Sequence, residues 1–365
     1  MSDELRLRIE RHLTEATGGA ASVRALDPLV GGACQDNWLV EAELSSGPLA
    51  GWRKLVLRSD ALVSLTGSLD RAGELRVVEA AVAAGVRTPA ARWPARDLTR
   101  AGANAYFLDF ADGEAIGRRV VGSPQLEAAR ARLADELGRE LAKIHSITPA
   151  THPSLFERDG NLPQPSGKTP QQDGKTPQPD LRAADPRGTD PIGPLLAFTR
   201  GMLETIPEPR PALELALRWL DEHRPAPGAA EVTLVHGDFR TGNFLVTPSG
   251  LSAILDWEFA RWGTPAEDLA WISVRDWRFG RLDRPVGGFA RREELYRAYE
   301  QASGRRVDPA EVRWWEIVGN VRWALGSIHQ GLRYLAGDRD LELIAIGRRS
   351  VEMEWEALRL IGRSR

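Results

Sequence analysis

The chain has 365 residues, 42% of them hydrophobic and 27% charged, with a formal net charge of -3 and a pI near 6.2. That length exceeds the usual ~150 residues per domain, so two domains or one bilobal unit are expected, with no need of covalent staples. The balanced charge leaves no basic footprint for nucleic acid, a single cysteine (Cys34) excludes a disulfide framework, and no run approaches the ~20 apolar residues of a membrane span.

Charges at Asp3, Glu4, Arg6 and Arg8 stand where a signal peptide needs an apolar run, and the cysteine usage fits a reducing, cytoplasmic compartment. Residues 4–16 read as a helix stopped by Gly18 and Gly19. Trp38, Val40, Ala42 and Leu44 then alternate with Leu39, Glu41 and Glu43, a strand signature, and a turn at 45–48 leads to a second strand at 54–58. Residues 73–84 predict a helix with Gly85 in its C-terminal cap, and 106–110 is another short apolar run. The first ~110 residues thus resemble a small sheet with one intervening helix.

The remainder reads as mainly helical. Leu133, Leu137, Leu141 and Ile144 recur at helical spacing, residues 195–206 and 213–222 are further candidates, and a long apolar stripe runs from Val312 to Leu335. Such a stripe is far more often core than ligand box. Residues 159–193 differ, being rich in Pro, Gly, Gln and Asp, with Ser166–Gln172 echoed at Asp173–Pro179. They offer too little apolar surface to offset their ordering entropy and read as a flexible surface insertion. Gly167-Lys168-Thr169 and Gly174-Lys175-Thr176 lack the earlier glycine of a phosphate-binding P-loop and each precedes proline. There is no Gly-x-Ser-x-Gly, and the six histidines show no zinc spacing.

The chemistry concentrates between short apolar runs at 234–235 and 251–255. His236-Gly237-Asp238 is followed by Asn243, and thirteen residues later by Asp256. Phosphoryl transfer needs a carboxylate near the attacking hydroxyl and hard oxygen ligands for Mg²⁺, and these three side chains supply such a set. An Asp and an Asn five apart, taken alone, more often cap a turn.

With Ile254-Leu255-Asp256-Trp257-Glu258 and Gly263-Thr264-Pro265-Ala266-Glu267-Asp268 following in order, the chain resembles the aminoglycoside phosphotransferase family, the small-molecule kinases of protein-kinase-like fold. Its wording looks most like the kinase-like branch associated with acyl-CoA dehydrogenase family members. The resemblance implies an α+β, bilobal protein-kinase-like fold, with a small β-rich N-lobe (1–110) and a larger, mainly helical C-lobe (111–365) that carries the 159–193 insertion. It implies a Mg²⁺-dependent enzyme moving the γ-phosphate of ATP, or GTP, to a hydroxyl of a small molecule. Asp238 would be the catalytic base, Asn243 and Asp256 the metal ligands, and Arg240 would lie beside the transferred phosphate. His236 and Asp268 would be scaffolding.

In the N-terminal part, Gly31 and Gly32 could bring backbone N–H groups to phosphates, or simply turn a hairpin. Arg58 ends a strand where protein kinases carry an ATP-binding lysine; acyl-CoA-dehydrogenase-linked members are similar here, and Lys54 is the alternative. Glu74 would pair with Arg58, with Glu79 as its rival. The stretch with Asp109, Phe110 and Ala111 resembles the interlobe hinge whose backbone meets adenine.

For the acceptor, Arg275, Arg278, Arg281, Arg284, Arg291 and Arg292 make the segment after Asp268 lean basic. Solvated arginines explain such a run most simply, yet it suits an anionic or CoA-like acceptor better than a polycation. Trp271, Trp277, Trp314, Trp315 and Trp323 could wall a pocket or fill the core. The expectation is a hydroxyacyl-CoA or similar anionic metabolite. The alternatives are an aminoglycoside, amino-alcohol or sugar acceptor and, from another class, a catalytically silent nucleotide-binding module. No nucleic-acid or membrane partner is expected, and oligomeric state stays open.

Overall fold

The computed structural model describes residues 2–29, 35–61, 67–156, 192–226 and 231–362. The chain forms two compact units. Among the described residues the first takes 2–112, 153–156 and 253–260, and the second 113–152, 192–252 and 261–362.

The first unit opens with α1 (Ser2–Thr17), whose Leu5, Ile9 and Leu13 repeat every four residues and are buried. They cover one face of an antiparallel sheet built from β1 (Ala21–Pro28), β2 (Gln35–Leu44) and β3 (Gly51–Asp60), then, after α2 (Arg71–Ala83), β4 (Ala91–Arg96) and β5 (Asn104–Asp109). The strand order is β1-β2-β3-β5-β4. Val40, Ala42, Leu44, Leu55, Leu57 and Phe107 share the core with α1. The strand period of two sends Arg58 to the opposite face, where it meets a glutamate of α2. Asp70 caps α2, its carboxylate accepting the Gly73 N–H at 2.8 Å, and Gly85 at φ 76° follows the last turn as the sequence predicts.

The strands that periodicity does not reveal, β1 and β4, are the two edges of the sheet. Each carries a register shift, between Val23 and Ala25 in β1 and between Arg92 and Ala95 in β4. A bulge breaks the alternation that sequence reading depends on, and in β4 it coincides with Trp93 at φ 46° and with Pro94, a residue tolerated at a sheet edge.

The second unit contains α3 (Gly117–Gly122), α4 (Glu127–Ile144), α5 (Ile192–Glu204), α6 (Pro211–Glu222), β6 (Thr233–Val235), β7 (Phe244–Thr247), β8 (Gly250–Ile254), β9 (Arg261–Gly263) and α7 (Pro265–Trp271). It continues through α8 (Arg292–Ser303), α9 (Pro309–Leu335), α10 (Leu341–Gly347) and α11 (Ser350–Gly362). β7 and β8 form a two-stranded sheet, as do β6 and β9, and β8 runs on into residues 253–260 of the first unit. The apolar stripe is buried on α9 from Val312 to Ile328 and is core there, while at its end Leu332 is half-buried and Leu335 is exposed. Gly138 lets α4 approach α8: a Cβ there would lie 2.8 Å from that of Ala298. Among the described residues no helix is long and apolar enough to cross a membrane.

Candidate active site

In the second unit, β6 delivers the chain into the loop 236–243. Gly237 adopts φ 77°, so the peptide N–H groups of His236 and Gly237 point the same way, and both donate to the buried Asp268 carboxylate at 2.7 and 3.0 Å. His145 at the end of α4 bonds Asp268 through Nε2 at 3.2 Å and Tyr299 of α8 through Nδ1 at 3.0 Å. Burial penalises the Asp268 charge. The His145 hydrogen bond, the electrostatic influence of the His145 and His236 rings and the His236 N–H outweigh it, and hold the carboxyl below the usual carboxylate range. The loop is thus anchored from beneath by one ionised aspartate.

Asp238 caps this arrangement with its carboxylate almost fully engaged. Oδ1 accepts the Trp271 indole N–H at 2.7 Å, Oδ2 accepts Nδ2 of Asn243 at 2.6 Å, and Arg240 Nε donates to both at 3.0 and 3.2 Å. Asn243 also donates to the Asp238 carbonyl at 2.9 Å. Its amide nitrogen being spent on Asp238, its side-chain oxygen is the atom it can offer a cation. The Arg240 guanidinium lies over Trp277, 4.5 Å from the ring centroid. The structure therefore brings Asp238, Arg240 and Asn243 into one cluster.

The first unit holds the second cluster. Arg58 donates to Glu74 at 2.7 and 3.3 Å and to Asp256 Oδ1 at 3.1 Å. Glu79 is exposed on α2, so Glu74 is the partner of Arg58. Glu74 also accepts from Arg71 and, at 2.7 Å, from the Tyr106 hydroxyl, while Arg71 reaches Glu258 at 3.3 Å. Burial disfavours the Arg58 charge, but Glu74, Tyr106, Asp256 and Glu258 more than offset it and raise the guanidinium pKa further. Burial, followed by the Glu74 charge, also raises the Tyr106 phenol well above its ordinary value. Asp256 sits at φ 68°, ψ 65°, a left-handed conformation that costs about 1–3 kcal/mol for a residue with a side chain. Its turn is stapled by Leu69 N–H to Glu258 O at 2.6 Å, Ile254 N–H to Arg87 O at 2.7 Å and Trp257 Nε1–H to Thr88 Oγ1 at 3.0 Å.

Among the residues expected to meet adenine, Asp109 pairs with Arg92 through both carboxylate oxygens, at 2.6 and 2.7 Å, and the Phe110 N–H donates to Lys54 O at 3.2 Å. Lys54 Nζ lies 4.1 Å from the Phe110 ring centroid. Ala111 follows, and the first segment of the first unit ends at Asp112. Gly31 and Gly32 lie outside the described residues, as does the 159–193 insertion apart from its last two residues, which open α5.

The arginine-rich segment is largely committed to internal pairs. Arg278 is buried and bonds Glu316 and Glu356 at 2.8 Å each, Arg292 pairs with Glu316 at 2.6 Å, and Arg275 pairs with Glu352 at 3.1 Å. Burial opposes ionisation of Glu356, but Arg359 and Arg278 pull its pKa down to about 2. Much of the basic lean of the sequence is thus neutralised in the fold, while Arg281 and Arg291 stand exposed and Arg284 is half-buried beside Asp283.

Sequence reasoning missed Trp271, His145, Arg71 and Glu258 as members of these clusters. Two carry a usable signal: Trp271 lies one helical turn after Asp268, and Glu74 one turn after Arg71, so each pair shares a face. The Arg71–Glu258 contact spans 187 positions and leaves no local trace.

Among the described residues no three His, Cys, Asp or Glu side chains group as a metal site. A set of one carboxylate and one amide oxygen, completed by phosphate oxygens and water, is the way Mg²⁺ is commonly held, so Asp256 and Asn243 fit that ion in chemistry.

A five-stranded antiparallel unit with a buried arginine–glutamate pair, and a helical unit with an anchored aspartate loop, together define a kinase-like phosphotransferase. A family match over residues 26–305 agrees: the chain belongs to the phosphotransferase enzyme family and is an enzyme of the small-molecule kinase type. It is 29% identical over 227 residues to acyl-CoA dehydrogenase family member 10 of Mus musculus, a stretch covering 60% of this chain and 18% of that protein. It is 31% identical over 146 residues to family member 11 of Rattus norvegicus, covering 36% and 18%. The matched stretches are thus less than a fifth of these relatives. Among solved structures, one assigned to the aminoglycoside phosphotransferases from Ralstonia eutropha JMP134 superposes with TM-score 0.66 at 19% identity, covering 96% of this chain and 97% of that one. The GDP complex of aminoglycoside 2'-phosphotransferase-IIIa gives 0.55 at 16% identity, covering 96% and 98%, and a Plasmodium vivax ethanolamine kinase gives 0.52 at 14%, covering 90% and 81%. At these identities the likeness is one of fold.

Proposed function

We propose that the enzyme transfers the γ-phosphate of ATP, with GTP as the alternative donor, to a hydroxyl of a small molecule in a Mg²⁺-dependent reaction. The observation that carries this reading is the Asp238 carboxylate, set on a loop anchored by Asp268 and bonded to Asn243 at 2.6 Å. Asp238 orients the acceptor hydroxyl and takes its proton as the oxygen attacks phosphorus. Arg240, two residues on, moves its guanidinium from Asp238 to the transferred phosphate. Arg58, held ionised by Glu74, takes the donor phosphates, and Gly31 and Gly32 supply backbone N–H groups to them. The backbone of Asp109, Phe110 and Ala111 reads the purine. Asn243 and Asp256 would hold Mg²⁺, which when bound would neutralise charge on the phosphates. The Asp256–Arg58 bond at 3.1 Å supports that assignment, because it sets a partly exposed carboxylate beside a cation suited to phosphate.

For the acceptor we favour a hydroxyacyl-CoA or a similar anionic hydroxylated metabolite. The support is the similarity to acyl-CoA dehydrogenase family members 10 and 11, not the arginine segment, whose charges are mostly paired. An amino-alcohol or aminoglycoside is the second reading, favoured by the fold neighbours, among them the ethanolamine kinase and a complex with ADP and hygromycin B. A silent nucleotide-binding module is disfavoured by the intact Asp238, Asn243 and Asp256.

The test is a transfer screen with γ-¹⁸O-labelled ATP and Mg²⁺ against hydroxyacyl-CoAs, free hydroxy acids, amino-alcohols and aminoglycosides, read by mass spectrometry. Label on a hydroxyacyl-CoA, absent with Asp238→Asn, is the expected result. Label only on amino-alcohols would replace the acceptor assignment, and nucleotide binding without label on any acceptor would overturn the transfer reading.

A further inference from the structure

We propose that Trp271 is a positioning residue for the Asp238 base, an inference that rests on the phosphotransfer reading above. A carboxylate has about four lone-pair sites in its plane. In this structure Trp271 Nε1–H takes one on Oδ1 at 2.7 Å, Asn243 Nδ2–H takes one on Oδ2 at 2.6 Å, and Arg240 Nε straddles both oxygens. Arg240 is a long side chain, about a quarter exposed, with its guanidinium on Trp277. Trp271 and Asn243 are the fixed donors. Once Arg240 turns to the phosphate, the carboxylate keeps its plane only if both of these hold it, and the vacated edge then faces the acceptor hydroxyl.

The indole is braced for that task. Trp271 ends α7 three residues after Asp268, so one helix supplies both the anchor beneath the loop and the donor to its aspartate. On α9, Gly319 leaves room for the ring, since a Cβ there would lie 3.3 Å from Trp271 Cε3 and 2.6 Å from Val274 Cγ2. Arg322, held by Glu267 at 3.2 Å, stacks 5.1 Å from the Trp271 centroid, and the Trp277 ring lies 5.9 Å away. Packing alone needs none of the indole's N–H; phenylalanine would fill most of the same space. What phenylalanine cannot supply is the bond to Oδ1, and a single charge-assisted bond of this kind is among the stronger in proteins.

Trp271→Phe is therefore expected to lower kcat about 10-fold or more, with KM for ATP and the melting temperature close to wild type. The decisive arm is the double variant. In Asp238→Asn the base is already lost, so adding Trp271→Phe should cost nothing further, because the indole acts only through that carboxylate. Site-specific replacement of Trp271 by its benzothiophene analogue, which keeps the ring shape and removes the N–H, should reproduce the loss of kcat even if phenylalanine perturbs folding. Wild-type kcat in the benzothiophene variant, or the same fold-loss in the Asp238→Asn background as in wild type, would overturn the proposal. Failure of the phosphotransfer reading itself would look different: the wild-type enzyme would move no label from ATP to any acceptor.

Discussion

Two buried arginine–carboxylate networks, one in each unit, look alike in composition and differ in what they leave exposed. Around Arg58, two arginines face Glu74, Asp256 and Glu258, and Asp256 keeps 28% of its side chain exposed on a left-handed backbone. Around Arg278, the carboxylates of Glu316 and Glu356 are each 1% exposed and face arginines alone. Burying charge is costly in both places, and in both the pairing offsets much of the cost. A buried ion network is thus no signature of function. The mark of the candidate site is an acid held in a strained, accessible position.

If that distinction is right, variants on the two sides separate activity from stability. The largest effect expected is from Asp238→Asn, which should cut turnover by ~10²- to 10⁴-fold, the usual size of a general-base contribution, with little change in melting temperature. Steady-state kinetics beside thermal melts decide it. Glu356→Gln should do the reverse. It leaves Arg278 short of a buried partner and should cost roughly 3–5 kcal/mol of stability, seen in denaturant melts, while turnover per folded molecule stays near wild type.

The same residue sets a pH dependence. The folded-state pKa of Glu356, at about 2, lies below its ordinary value of 4.5. Its stabilising contribution is therefore complete above pH ~4.5 and is lost as pH falls toward 2. Denaturant melts of wild type and Glu356→Gln should converge over that window. Asp268, also depressed, adds a loss of the same sign. A gap that stays constant down to pH 2.5 would place the network's stabilisation elsewhere. The smallest effect is expected from Arg58→Lys. It keeps the charge but cannot reproduce the two bonds to Glu74 together with the one to Asp256, and should reduce kcat/KM for ATP about 10-fold.

How much of this was legible in the sequence follows from how local each feature is. The pattern of the candidate site's loop lies within eight residues, from His236 to Asn243, and the helices announce themselves through the spacing of Leu133 to Ile144 or Val312 to Ile328. Strand β2 reads cleanly because the alternation from Trp38 to Leu44 is unbroken. Edge strands β1 and β4 do not, because bulges at Val23/Ala25 and Arg92/Ala95 reset the alternation. Glu74 could be named as a candidate from its place on α2, but the choice over Glu79 needed the helix phase set by Asp70. The arginine run at 275–292 misleads in the other direction. Its charges look available in one dimension, and in three they meet Glu316, Glu352 and Glu356, between 24 and 78 positions away. Composition shows charge, and only the fold shows whether that charge is already spent.

The most direct test of the central claim separates the two aspartates by nucleotide binding. Calorimetric titration with a non-hydrolysable ATP analogue, with and without Mg²⁺, should be made on wild type, Asp238→Asn and Asp256→Ala. Mg²⁺-enhanced binding should survive in Asp238→Asn and disappear in Asp256→Ala. Enhancement by Mg²⁺ that is undiminished in Asp256→Ala would contradict the claim.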